Sequence, residues 1–112
     1  MNRFNHTPQF EREYRKLLKR YRSLDTDLAF FEDIVVGFPT GKGSKFVILH
    51  SGPDCAIVKA RLMCRALRES SLRIVYAWHP STLTFVYLEL YYKGDKENED
   101  RERIKEYLKN LA

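Results

Sequence analysis

The sequence predicts an α+β fold: an N-terminal helical hairpin packed on a small antiparallel β-sheet, a meander, with a helix at the C-terminus. Three observations predict it. Apolar residues recur at helical spacing through residues 8–37, alternate with polar ones in three successive stretches between 56 and 93, and return to helical spacing after 100. At 112 residues the chain can bury one core but not two, so a single domain spanning 1–112 is expected.

Thr7-Pro8 starts the first helix, an N-cap oxygen followed by a proline whose missing N–H costs nothing at that position. Phe10, Tyr14, Leu17, Leu18 and Tyr21 repeat at helical spacing, while Arg12, Arg15, Lys16, Lys19, Arg20 and Arg22 fall largely on the other faces. Ser23-Leu24-Asp25 makes the turn. Asp25 is read as the cap of a second helix with Leu28, Phe31, Ile34 and Val35 as its apolar stripe, ending at Gly37.

Residues 37–54 hold four of the five glycines and two of the prolines around the apolar run Phe46 to Leu49, the pattern of a long loop containing an edge strand. Its GFPTGKGSK fails as a phosphate-binding loop: only three residues separate Gly37 from Gly41, and Gly43 stands where Ser or Thr should follow Lys42. No nucleotide cofactor is expected.

Ala56 to Leu67, Leu72 to His79 and Leu83 to Lys93 read as the three meander strands, joined through Glu69-Ser70-Ser71 and Pro80-Ser81-Thr82. The closing helix carries Ile104, Tyr107, Leu108 and Leu111 as a stripe, with Glu99 and Arg103 at supportive i, i+4 spacing.

Composition narrows the function. No stretch approaches the roughly 18 apolar residues of a membrane span, and the first ten residues lack a signal-peptide h-region, so a cytoplasmic protein is expected. Cys55 and Cys64 have no partner at metal spacing and lie roughly 30 Å apart if they share one strand, too far to bridge. Two free, reduced cysteines are expected, with no metal. The net charge of +5 is concentrated: residues 1–22 carry seven basic groups against two acids, and residues 57–73 five against one. That concentration suits an anionic partner such as nucleic acid.

Period-two reading places Val58, Ala60, Leu62 and Cys64 on one face of the first meander strand and Lys59, Arg61, Met63 and Arg65 on the other. In the third strand Val86, Leu88, Leu90 and Tyr92 form the apolar set, and Phe85, Tyr87, Glu89, Tyr91 and Lys93 oppose them. With the helical hairpin on the apolar side, the free face would present Lys59, Arg61, Arg65, Arg73, Glu89, Tyr91 and Lys93. An antiparallel sheet often keeps one face merely solvated. A wet face would mix Thr, Ser, Glu and Gln, however, whereas cations with aromatic neighbours grip phosphates while stacking exposed bases. Lys16 and Lys19 on the first helix could rest on the same RNA backbone.

The hairpin TPQFEREYRKLLKRYRSLDTDL, the strands VKARLMCRAL and SLRIVYAW, and the ending FVYLELYYKGDKENEDRERIKEYL resemble the RelE/ParE superfamily of type II toxins over nearly the whole chain except the 37–54 loop. The resemblance implies a cognate antitoxin as partner and, on the RelE branch, metal-independent cleavage of mRNA on the ribosome. It places the basic pair of the first meander strand at Lys59 and Arg61, the next strand's arginine at Arg73, and the tyrosine-lysine ending at Tyr91, Tyr92 and Lys93. No histidine follows His79, so the branch that uses a C-terminal histidine as acid has no counterpart here. The gyrase-poisoning ParE branch shares the fold without this set.

Such cleavage drives a ribose 2′-hydroxyl onto its own phosphate, which calls for a base, a stabilised phosphorane and a proton for the leaving 5′ oxygen. Lys59, its charged form disfavoured by Arg61 and Arg65, is one candidate base and Glu89 the other. Arg61 and Arg73 suit the phosphorane through their guanidinium forks. Tyr91, or Tyr92 on the opposite parity, would orient the ribose, stack a base or donate the proton, with Lys93 on the phosphate.

Overall fold

The computed structural model of the chain describes residues 3–67 and 71–111. The expected hairpin is present as α1 (Pro8–Arg20) and α2 (Leu24–Gly37). Thr7 caps α1, its hydroxyl accepting from the Phe10 N–H at 3.2 Å. Asp25 is not the cap of α2: that place falls to Ser23, whose side chain makes no capping bond, and Asp25 lies inside the first turn. There it favours the helix dipole and accepts from the Tyr14 hydroxyl of α1, which ties the hairpin together.

A short strand, β1 (Arg3–His6), precedes the hairpin and was absent from the sequence-based expectation. Four residues without alternation carry no strand signal of their own. They are held by pairing in parallel with β5 (Thr84–Tyr92), Phe4 opposite Phe85 with stacked rings 4.8 Å apart. With β2 (Phe46–Ser51), β3 (Ala56–Met63) and β4 (Ser71–His79), the sheet runs β1-β5-β4-β3-β2, antiparallel apart from its first pair. β2 is the edge strand expected in the 37–54 loop. Before it, Gly41 turns at φ +88 with its α-carbon against the Phe46 ring, where an added Cβ would stand 2.1 Å from ring carbon.

β3 stops at Met63, four residues short of the expected end, and Arg65–Leu67 form a 3₁₀ turn. Two polar groups at the start of α2 enforce the change: Asp27 accepts from the Arg65 N–H and the cap residue Ser23 from the Ala66 N–H, each at 3.2 Å. The Glu69-Ser70 part of the next connection lies outside the described residues. α3 spans Arg101–Lys109, capped by Asp100, so Glu99 stands before the helix and cannot form the expected i, i+4 pair with Arg103. Leu111 is exposed rather than part of the stripe.

The sheet has apolar packing on both faces. Phe10, Leu17, Leu24 and Phe31 of the hairpin cover Val58, Ala60, Leu62, Leu72, Ile74 and Tyr76, while Ile104 of α3 packs with Ile57, Val75, Ala77 and Leu88 on the reverse. Ile34, expected in the α2 stripe, is largely exposed. Cys55 and Cys64 flank β3 and are free and buried, one in each layer.

The expected parity of β5 holds only in part, because the strand contains a β-bulge. Glu89 pairs with Val75, but Tyr87 pairs with Tyr76, which leaves Leu88 extra. Before the bulge, Phe85 and Tyr87 point into the hairpin core and Val86 and Leu88 toward α3; after it, Leu90 and Tyr92 face the hairpin and Glu89 and Tyr91 the reverse. Phe85 and Tyr87 therefore do not join the reverse face.

Candidate nucleic-acid interface

Pairing register builds the face. Arg61 of β3 lies opposite Arg73 of β4, and Arg73 lies opposite Tyr91 of β5, forming one row across three strands. Directly opposed residues have Cβ atoms about 5 Å apart, so these three side chains are neighbours. The next row is Lys59, Val75 and Glu89. Like charges directly opposed are destabilising, yet neither arginine of the first row has an acidic partner among the described residues. Among the described residues Arg73 donates only to Ser71, at 2.7 Å to its hydroxyl and 3.3 Å to its carbonyl. An anion shared by both guanidinium groups would relieve that repulsion.

The face is not open along its whole length. Residues 93–100 and α3 fold over the second row, and two carboxylates lie buried beneath them. Glu89 accepts from the Asp100 N–H at 2.8 Å and from Lys96, with its side chain 1% exposed. Glu99, equally buried, accepts from Lys59 at 2.8 Å and meets Arg101 at 3.0 Å. Burial pushes the Glu99 carboxyl up, but the Lys59 hydrogen bond, its own backbone and the Lys59 and Arg101 charges outweigh this and hold it below its ordinary 4.5. Lys59 therefore sits against a carboxylate, not among cations alone.

Tyr91 is only 6% exposed, where a solvent-facing side chain was expected. Burial, then Glu99 and Glu89, push its phenol up to about 12, Arg73 acting the other way, and Lys96 lies over its ring at 5.4 Å. At neutral pH the hydroxyl keeps its proton and can donate. Tyr92 turns to the hairpin side, its ring 6.4 Å from that of Tyr21.

The other expected residues scatter. Arg65 leaves the row with the 3₁₀ turn and is exposed; Lys93 is exposed just past β5. Lys16 and Lys19 do meet the tyrosines: with Arg20 and Lys96 they line an open groove between α1 and the end of β5, floored by Leu90, Tyr91 and Tyr92. His79 is engaged by the Tyr107 hydroxyl at 2.6 Å, and Trp78 packs on Phe85 at 4.5 Å.

Sequence reasoning missed Glu99 and Lys96, which lie in a charge-balanced run where no local pattern marks either one. It also missed the brace that seats α3. Beyond β1 the edge of β5 is closed by side chains, Glu13 accepting from the Leu90 N–H at 3.1 Å and Arg103 donating to the Leu88 carbonyl at 2.9 Å. Glu13 and Arg103 join each other at 2.9 and 3.0 Å.

No family model matches the chain, and no curated protein does. Solved structures do. The archaeal RelE–RelB complex from Pyrococcus horikoshii OT3 aligns at a TM-score of 0.64 and 18% identity, covering 83% of this chain and 96% of that one. The isolated E. coli RelE toxin aligns at 0.56 and 20%, covering all of both chains. A double arginine-to-alanine mutant of E. coli RelE in the free state gives 0.56 and 21%, covering 99% and 98%. The expected RelE-like α+β fold is therefore present, at identities that speak for the fold alone.

Proposed function

We propose that this chain, having a RelE-like fold, is the toxin of a type II toxin–antitoxin pair and cleaves mRNA on the ribosome by attack of a ribose 2′-hydroxyl on the adjacent phosphate. The observation that carries this reading is the row Arg61, Arg73, Tyr91: two guanidinium groups without an acidic partner among the described residues, beside a phenol that stays protonated. As the 2′-oxygen bonds to phosphorus and the bond to the 5′ oxygen breaks, charge grows on the equatorial oxygens, where guanidinium forks act most strongly. The Tyr91 hydroxyl donates to the departing 5′ oxygen. The products are a 2′,3′-cyclic phosphate and a 5′-hydroxyl end, and the nucleophile comes from the substrate itself.

Lys93 and Arg65, exposed at either end of the face, hold neighbouring phosphates, while Lys16 and Lys19 guide the strand along the groove past Tyr92. Glu89 has donors from the Asp100 N–H and Lys96 and almost no solvent access, which suits it to support the face rather than to take a proton. A cognate antitoxin is the expected protein partner, as RelB is for the P. horikoshii relative.

Inducible expression in a bacterial host, with mRNA 5′ ends mapped, tests the reading. Growth should arrest with new ends inside reading frames, and Arg73→Ala should abolish both at equal soluble expression, cutting cleavage by about 10²–10³-fold. Arrest without new ends would favour a gyrase-directed toxin of the same fold. No arrest would leave a non-catalytic binding module.

A further inference from the structure

We infer that Glu99 is a positioning residue that holds Lys59 as a fixed cation at the inner end of the basic face, so that Lys59 serves the phosphate by charge and not as the base. The inference rests on the endoribonuclease reading above. A lysine is a point charge on a flexible four-carbon stem, and its three N–H donors otherwise wander. Here one of them is anchored at 2.8 Å to a carboxylate whose side chain is 1% exposed, while Lys59 itself remains 25% exposed. Its other N–H groups can turn outward.

The anchor is itself fixed. Its neighbour Asp100 caps α3 and donates its N–H to Glu89, and Lys96 closes the same turn onto Glu89. Burying a carboxylate is costly unless it is paired. Seating α3 gives little reason to bear that cost, because Ile104 and the Glu13–Arg103 pair already seat it. What Glu99 adds is control of the one candidate base that keeps solvent access. The Lys59–Glu99 contact places a carboxylate beside the ammonium, where the sequence offered only Arg61 and Arg65 as charged neighbours. The 2′-hydroxyl proton then leaves to water, the O2′–P bond forms as P–O5′ breaks, and Lys59 joins Arg61 and Arg73 on the phosphorane oxygens.

The test is single-turnover cleavage of mRNA on purified ribosomes by the wild type, Glu99→Gln, Lys59→Met, the double variant and Lys59→Arg, each first shown folded by circular dichroism and melting. Glu99→Gln should lower the maximal rate about 10- to 100-fold with little change in the half-saturating ribosome concentration. In the Lys59→Met background it should lower it no further, and Lys59→Arg should stay within about tenfold of the wild type. A Glu99→Gln enzyme as fast as the wild type or faster overturns the inference, since freeing a base from its counter-charge speeds it. Loss that persists in the Lys59→Met background overturns it too, and so does a Lys59→Arg as inactive as Lys59→Met, which decides even if Glu99→Gln melts early. A wild type that cuts nothing sinks the endoribonuclease reading and this inference together. Equal cutting by wild type and Glu99→Gln sinks the inference alone.

Discussion

Arg61 and Arg73 lie opposite each other with no acidic partner among the described residues, while one row along Lys59 is paired with Glu99. One face thus holds paired and unpaired cations side by side. The sequence showed the cations but not which were paired, because Glu99 lies 40 residues from Lys59 and in a run balanced for charge. Glu99 gives this arrangement a pH signature. Its carboxyl is held below its ordinary 4.5, so the stability it contributes is present above that value and is lost as pH falls through the lower folded value. Glu99→Gln should cost about 2 kcal/mol in urea unfolding at pH 7, a buried pair discounted for the exposure of Lys59 and Arg101. The gap from the wild type should narrow as pH falls below 4.5. A gap of undiminished size at pH 3 would mean that packing, not ionisation, is what the substitution removes.

Among the elements, β5 departs furthest from its sequence pattern. Unbroken alternation from Thr84 to Lys93 would put Tyr87 on the face with Tyr91; the extra Leu88 sends Tyr87 into the hairpin core and keeps Tyr91 beside Arg73. Nothing in the alternation announces a bulge, because Val86, Leu88, Leu90 and Tyr92 keep an unbroken apolar period of two across it. β1 was illegible for a different reason: its four residues depend on the far edge of the sheet. α3 was legible as a helix but not as a lid, since its seat is the Glu13–Arg103 pair, 90 residues apart in sequence. That pair takes over where β1 ends, satisfying backbone groups on the free length of β5. Glu13→Ala should therefore cost about 2 kcal/mol, because it strands a half-buried guanidinium and a strand N–H together. Hydrogen exchange should locate the change at Leu90 and in α3 while β3 and β4 stay protected. Uniform loss of protection across the sheet would refute a local brace.

Across the whole molecule, charge and packing are divided between the sides. The hairpin core is continuous, whereas the reverse face is apolar only under α3 and turns cationic beyond it. With Lys16 and Lys19 along the adjoining groove, the cations trace a path from α1 past Tyr91 to Arg73 and Arg61. Single-stranded RNA bound along it should release counterions: for four to five phosphate contacts the slope of log affinity against log salt is about −3. Fluorescence anisotropy with a short RNA across a salt series measures it. Lys16→Ala and Lys19→Ala should each flatten the slope by about 0.7. An unchanged slope in both would remove α1 from the path.

What the sequence determined by itself is whatever depends on neighbours in the chain: the hairpin, the three long strands and their order, the apolar side of β3, and the cations at Lys59, Arg61 and Arg73 that share its opposite side. Period and capping are local, so they survive without a partner. Only the tertiary structure decided the bulge in β5, the parallel β1, the turn that removes Arg65 from the row, and the burial of Tyr91 beneath residues 93–100. It alone also placed Glu99 against Lys59. Apart from the burial of Tyr91, which the chain just beyond β5 provides, these depend on hydrogen bonds or ion pairs between separate segments, and such pairing leaves no trace in local periodicity.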